Sequence, residues 1–201
     1  MHTRRRIAPL FLIVATLTAG SITVARADSA NNIFRFGGAW VVPDGETVVN
    51  TGGGNVNLDS EDGWGYFVDY ERRLIPWLGI DMQVLYATPA FDSTPAGGGA
   101  TMSQSVTVWT GNLGVNFHFF ARSRVDLYLG VFGGYTTFNT AVDDAFGYGG
   151  VLGLDIGLTK SGLVLTTGVR YSQTDADVTG TSGGSVPYDP LVYQLGLGWR
   201  F

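Results

Sequence analysis

The chain has 201 residues, no cysteine, and 12 Lys and Arg against 17 Asp and Glu, a formal net charge of −5. The lack of cysteine excludes a disulfide framework and thiolate metal sites, and the acidic balance argues against nucleic acid, whose phosphates need a basic face. Hydrophobic residues make up 45% of the chain and charged ones only 14%, little charge for a surface that meets water on all sides.

The N-terminus reads as an address. Arg4, Arg5 and Arg6 form a basic segment, Ile7 to Gly20 is mostly apolar, and Ala25-Arg26-Ala27 offers a small-x-small cleavage site before Asp28. This pattern predicts a secretory signal peptide over residues 1–27, removed to leave one domain over 28–201. Its loss would leave eight basic against 17 acidic residues, with Lys160 as the single lysine. Beyond it no apolar stretch of about 18 residues is long enough for a membrane helix.

The mature region alternates with a period of two, so each segment has one bulky apolar face and one small or polar face. Eight strands are predicted. The first, Asn32 to Val42, sets Phe34, Phe36, Trp40 and Val42 against Arg35, Gly37 and Ala39. The second, Gly63 to Arg73, sets Trp64, Tyr66, Val68 and Tyr70 against Phe67, Asp69 and Glu71. The third, Leu78 to Thr88, sets Ile80, Met82, Val84 and Tyr86 against Asp81, Gln83, Leu85 and Ala87. The fourth, Ser105 to Phe119, sets Trp109, Leu113, Val115 and Phe117 against Thr110, Asn112, Asn116 and His118. Val125 to Phe138, Phe146 to Leu158 and Leu163 to Thr174 repeat the scheme, the last with Leu163, Leu165, Val169 and Tyr171 against Thr166, Gly168, Arg170 and Ser172. The chain ends on Leu191, Tyr193, Leu195, Leu197, Trp199 and Phe201, every second residue large and apolar.

The connections alternate as well. Arg73–Trp77, Ala121–Arg124 and Thr159–Gly162 are short. Pro43–Asp62, Pro89–Gln104, Asn139–Ala145 and Asp175–Pro187 are longer and read as loops. Aromatic residues gather toward both strand ends, as interfacial girdles do. An even strand count, unequal connections and paired girdles predict an all-β fold: an eight-stranded antiparallel up-and-down transmembrane barrel of an outer membrane, with short periplasmic turns and longer extracellular loops. The competing architecture is a soluble lipocalin-type barrel with its apolar face inward, which gives no reason for aromatics at both rims.

The inward residues sort by depth. Arg35, Asp69, Glu71, Asp81, Asn116, His118, Asp126, Asp155 and Arg200 fall toward the periplasmic half, predicting a polar plug. Arg35 and Arg200 pair with the carboxylates because the first and last strands meet on closure, and five acids against two arginines leave one acid protonated or solvated. The outer half carries Ala39, Val41, Phe67, Leu85, Ala87, Val106, Val108, Phe132, Phe138 and Val151. An interior of eight strands holds side chains or one small ligand, so Phe67, Leu85, Val106, Val108, Phe132, Phe138 and Val151 are candidates for an apolar path. The charged set also serves as ordinary packing, since buried charges must be compensated.

Three segments carry a likeness: Ile80-Asp81-Met82-Gln83-Val84-Leu85-Tyr86-Ala87-Thr88-Pro89, Tyr128-Leu129-Gly130 leading to Tyr135-Thr136-Thr137-Phe138, and Asp189-Pro190-Leu191-Val192-Tyr193 ending in Gly198-Trp199-Arg200-Phe201. In this order the mature chain resembles the outer membrane protein W (OmpW) family. That resemblance implies a monomeric barrel passing small hydrophobic molecules into the outer membrane, and a terminal Phe201 read by the barrel assembly machinery. The loop Asn139–Ala145 is short for that family.

No cofactor or metal is expected: one histidine in 28–201 and no cysteine leave few ligands, and the glycines near 52–54 and 97–99 precede no helix that could hold phosphate. His118 with Ser123 and Asp126 nearby in sequence is the one catalytic arrangement conceivable, without a G-x-S-x-G context. A structural or adhesive barrel with a filled lumen is the other reading.

Overall fold

Side-chain alternation, strand by strand, builds the molecule. A computed structural model describes residues 31–201 apart from 45, 52–53, 96, 140–142 and 178–184; the predicted signal peptide lies outside the described residues. The strands are β1 (Asn32–Asp44), β2 (Glu46–Thr51), β3 (Gly54–Ile75), β4 (Leu78–Pro95), β5 (Met102–Ser105), β6 (Val108–His118), β7 (Val125–Phe138), β8 (Ala145–Gly157), β9 (Leu163–Asp177), β10 (Ser185–Pro187) and β11 (Asp189–Arg200).

Eight of them close a barrel in the order β1-β3-β4-β6-β7-β8-β9-β11, each antiparallel to its neighbours. Closure comes from β1 against β11, in unbroken register from Ile33↔Arg200 to Asp44↔Asp189. It continues one residue further, where Phe201 and Asn32 exchange backbone hydrogen bonds of 2.9 and 3.0 Å. The barrel thereby leaves no open edge among its eight spanning strands.

Parity is kept throughout. On β11, Tyr193, Leu195, Leu197 and Trp199 face out and are exposed, while Val192, Gln194 and Gly198 are buried. Trp64 and Tyr66 on β3 are over 70% exposed, yet Phe67 beside them is 3% exposed. Bulky apolar groups on the outside and charged groups within rule out a water-soluble arrangement of the lipocalin type. The outward aromatics pair at both rims: Trp40 with Trp64 and Tyr193 at 6.1 and 5.8 Å, and Tyr86 with Trp109 at 4.9 Å, toward the long loops; Trp77 with Phe117 at 6.2 Å, beside the short turns.

Three segments expected to be loops are partly strand; in Asp175–Pro187, residues 185–187 pair with 175–177. Residues 46–51 pair with 54–59, and β4 continues to Pro95 against β3 and β5. The barrel wall is thus prolonged past the outer aromatics on the β3–β4 side. The β-branched residues Thr47, Val48, Val49 and Val56 favour strand, a signal that the surrounding Gly, Asn and Asp obscure. An irregularity between Glu61 and Trp64, where β3 gains a residue on β4, marks the passage from barrel to extension, a common bulge position. At the other end the turns are tight; in the one after β8, Gly162 has φ +100°, a conformation that favours glycine.

Candidate functional site: the filled lumen

Inward positions near the turn end bring long charged side chains from opposite walls into contact. Arg35 of β1 is 2% exposed and meets three carboxylates. Its Nη1 donates to Asp69 Oδ1 at 2.7 Å, its Nη2 to Glu71 Oε2 at 3.0 Å and to Asp155 Oδ2 at 2.8 Å, and its Nε reaches Asp155 Oδ1 at 3.2 Å. The guanidinium also lies 5.0 Å from the centroid of the Tyr128 ring. A planar fork with five donors suits such multiple contact, which a lysine could not reproduce.

Below it stands a second group. His118 Nε2 is 2.7 Å from Glu71 Oε1, and its Nδ1 is 3.1 Å from Asp126 Oδ2. Arg73 bonds Asp126, donates to the Ala121 carbonyl at 3.0 Å and touches Glu71 Oε1 at 3.4 Å. Asn116 Nδ2 donates to Glu71 Oε2 at 3.0 Å. Arg200 stands at the margin, 3.8 Å from Asp126 and 3.9 Å from Asp155.

Arg170 spans the lumen from β9 to β4. Its Nη2 donates to Asp81 Oδ2 at 2.6 Å and approaches Asp69 Oδ2 at 3.3 Å, with Cζ 5.1 Å from the Phe132 ring centroid. Above these carboxylates along β4 comes Gln83, which exchanges amide hydrogen bonds of 3.3 and 3.2 Å with Gln194. This neutral pair separates the ionic layers from the apolar half.

All eight charged residues expected in the plug are therefore together, and two arginines missing from that expectation join them. Strand parity reads Arg73 as a strand end and Arg170 as an inward position without a charge role. The count of two arginines against five acids is corrected to four, with His118 between two carboxylates. The arrangement fits compensation of buried charge, in which each ion must keep a partner.

Glycine makes the room. On β8, a Cβ at Gly153 would collide with the Tyr128 ring, and one at Gly149 would stand 2.8 Å from Phe132 Cζ. The rings of Tyr128 and Phe132 occupy the space that these glycines leave, where they meet Arg35 and Arg170.

The candidate apolar residues all face in. Phe67 and Leu85 pack with Ala39, Val41, Ala87 and Val192 on one wall. Phe132 and Val151 pack with Tyr128 on the facing wall. Val106 and Val108 meet Tyr188, with Phe138 and Phe91 beside them. Tyr188 gives no signal in the sequence because it lies between two strands. It leads into β11 and reaches across the mouth to β6 and β7, its ring 5.4 Å from Phe138 at 87°. The Ser123 hydroxyl bonds the Val125 backbone while His118 is held by Glu71 and Asp126, so no nucleophile–base contact forms.

Comparison with known proteins agrees with this architecture. The chain is similar in structure to the outer membrane protein OprG from Pseudomonas aeruginosa, with a TM-score of 0.70 and 18% identity over 87% of this chain and 97% of the other. It is similar to the outer membrane protein AlkL, with a TM-score of 0.62 and 19% identity over 90% and 94%, and to Neisserial surface protein A at 0.51, 12% identity, over 86% and 98%. At these identities the likeness concerns the fold. No curated protein sequence matches significantly. The family model for the outer membrane protein beta-barrel domain matches residues 12–201, and with a closed eight-stranded barrel whose apolar face is outside, the chain belongs to that family and is an outer-membrane barrel.

Proposed function

We propose that this barrel, of the OmpW type, passes small hydrophobic molecules from outside into the outer membrane through the outer half of its lumen, with lateral exit between strands. One observation carries the reading: inward side chains change from charged to mainly apolar along the axis, with Thr136 and Thr174 the buried hydroxyls among them, and this uncharged half faces the loops. A water-filled porin would be polar along its whole length. Apolar guests gain roughly 25 cal/mol per Å² on leaving water, while the cross-linked ionic layers deny them a straight route to the periplasm. The residues proposed to line the path are Phe67, Leu85, Val106, Val108, Phe132, Phe138 and Val151.

The same proposal includes a cleaved signal peptide over 1–27, recognition of Phe201 by the barrel assembly machinery, a monomeric state and a non-enzymatic role. Uptake of a labelled alkane or terpene by cells with and without the protein tests transport: faster uptake with the protein supports it, and equal rates end it. A second reading, a structural or adhesive barrel with a filled lumen, draws on Tyr188 packed over the mouth above the plug. It calls for binding of the loop side to surfaces without any change in uptake.

A further inference from the structure

Charge outside the lumen is divided between the two rims. The loop segments 43–62, 89–104, 139–145 and 175–189 contain eleven Asp and Glu and no Lys, Arg or His. The turn segments 74–77, 119–124 and 158–162 contain no acid. Of the eight Lys and Arg residues in 31–201, Arg35, Arg73, Arg170 and Arg200 are within the lumen. The remaining four, Arg72, Arg122, Arg124 and Lys160, are all exposed and all at the turn end. Each of the three turns contributes: Arg72 before the first, Arg122 and Arg124 in the second, Lys160 in the third.

Exposed apolar side chains stand directly beside these bases. Leu74, Ile75 and Trp77 follow Arg72, Phe119 and Phe120 precede Arg122, and Leu158 precedes Lys160. A ring at the headgroup level with a cation just beyond it is the pattern of a membrane interface, where the long basic side chains extend from apolar surface to phosphate. Arg124 gives its Nε to the Gly157 carbonyl at 2.8 Å, which fixes its side chain along the rim.

We propose that the periplasmic rim is a binding surface for anionic phospholipid headgroups of the inner leaflet, with Arg72, Arg122, Arg124 and Lys160 engaging their phosphates. Arginine meets phosphate with paired hydrogen bonds and lysine as a point charge. A base near an anionic surface gains enough to favour a charged lipid over a zwitterionic one by about fivefold at low salt. The surface is independent of whether the lumen conducts anything.

The experiment is lipid selectivity at the protein boundary. The folded protein is reconstituted in phosphatidylcholine vesicles, and the fraction of motionally restricted lipid is measured by electron spin resonance with spin-labelled phosphatidylglycerol and phosphatidylcholine. Preferential restriction of phosphatidylglycerol, weakened at ~1 M salt, is expected. The combined variant Arg72→Gln, Arg122→Gln, Lys160→Gln should lose most of that preference, and the opposite-rim variant Asp59→Asn, Glu61→Gln, Asp62→Asn should keep it. Equal restriction of both lipids by the unmodified protein, a preference that salt leaves unchanged, or one that survives in the triple rim variant overturns the proposal. The first two outcomes need no variant to fold.

Discussion

Arg35 does more than its neighbours because three carboxylates share it. Replacing it by methionine strands Asp69, Glu71 and Asp155 in a buried site, and removal of one partner from a buried ion pair costs about 3–5 kcal/mol. Arg200, partly exposed and no closer than 3.8 Å to a carboxylate, should cost about 1 kcal/mol or less as glutamine. Urea unfolding in lipid vesicles separates the two, and equal losses would remove Arg35 from the centre of the cluster. A second contrast concerns glycine. Gly153→Ala drives a methyl group into Tyr128 and should destabilise by about 1–3 kcal/mol, whereas Gly38→Ala points into open space and should stay within about 0.5 kcal/mol. Sequence alone identifies Arg35 through strand parity and fails at Arg170. The backbone of Arg170 is paired with Val151 and Val192, at an apolar level, while its head is bonded to Asp81 and Asp69. A long side chain carries its charge well away from its own Cα, and periodicity places only the Cα.

At the scale of elements, the spanning strands are legible because each turns its bulky set one way for many residues in a row. β7 runs over Val125–Phe138 as the alternation dictates. The extensions in β2, β3 and β4 are not legible: composition signals loop, and pairing makes them strand, in a local hairpin for β2 and against β4 for β3. The segment leading into β11 supplies Tyr188, whose packing against Val106 and Val108 covers the mouth. If the proposed route passes this point, Tyr188→Ala should raise the initial rate of hydrocarbon uptake by cells. An unchanged rate would put the entrance elsewhere.

The whole molecule has its apolar surface outside and its ions inside, so the cost of a misplaced charge depends on depth. Val131 is exposed midway along β7, and Phe120 is exposed in a turn. Val131→Arg should destabilise the inserted barrel by about 2–4 kcal/mol and Phe120→Arg by about 0–1 kcal/mol, as measured by denaturant titration in bilayers. The barrel, its strand order and its polarity are all readable from residue parity; the balance of the ionic layers is not, because it is set by contacts across the interior. Closure of β1 on β11 has a further consequence for how the chain reaches this state. Arg35 and Asp155 are 120 residues apart, Arg170 and Asp81 are 89 apart, and neither pair can form on an open sheet. Until the final hairpin zips to the first segment, an assembling chain would present unmatched ions to hydrocarbon. Folding should therefore be slow and highly cooperative, as expected when distant partners dominate the transition state, with the last seam and the electrostatic cluster appearing in a single kinetic step.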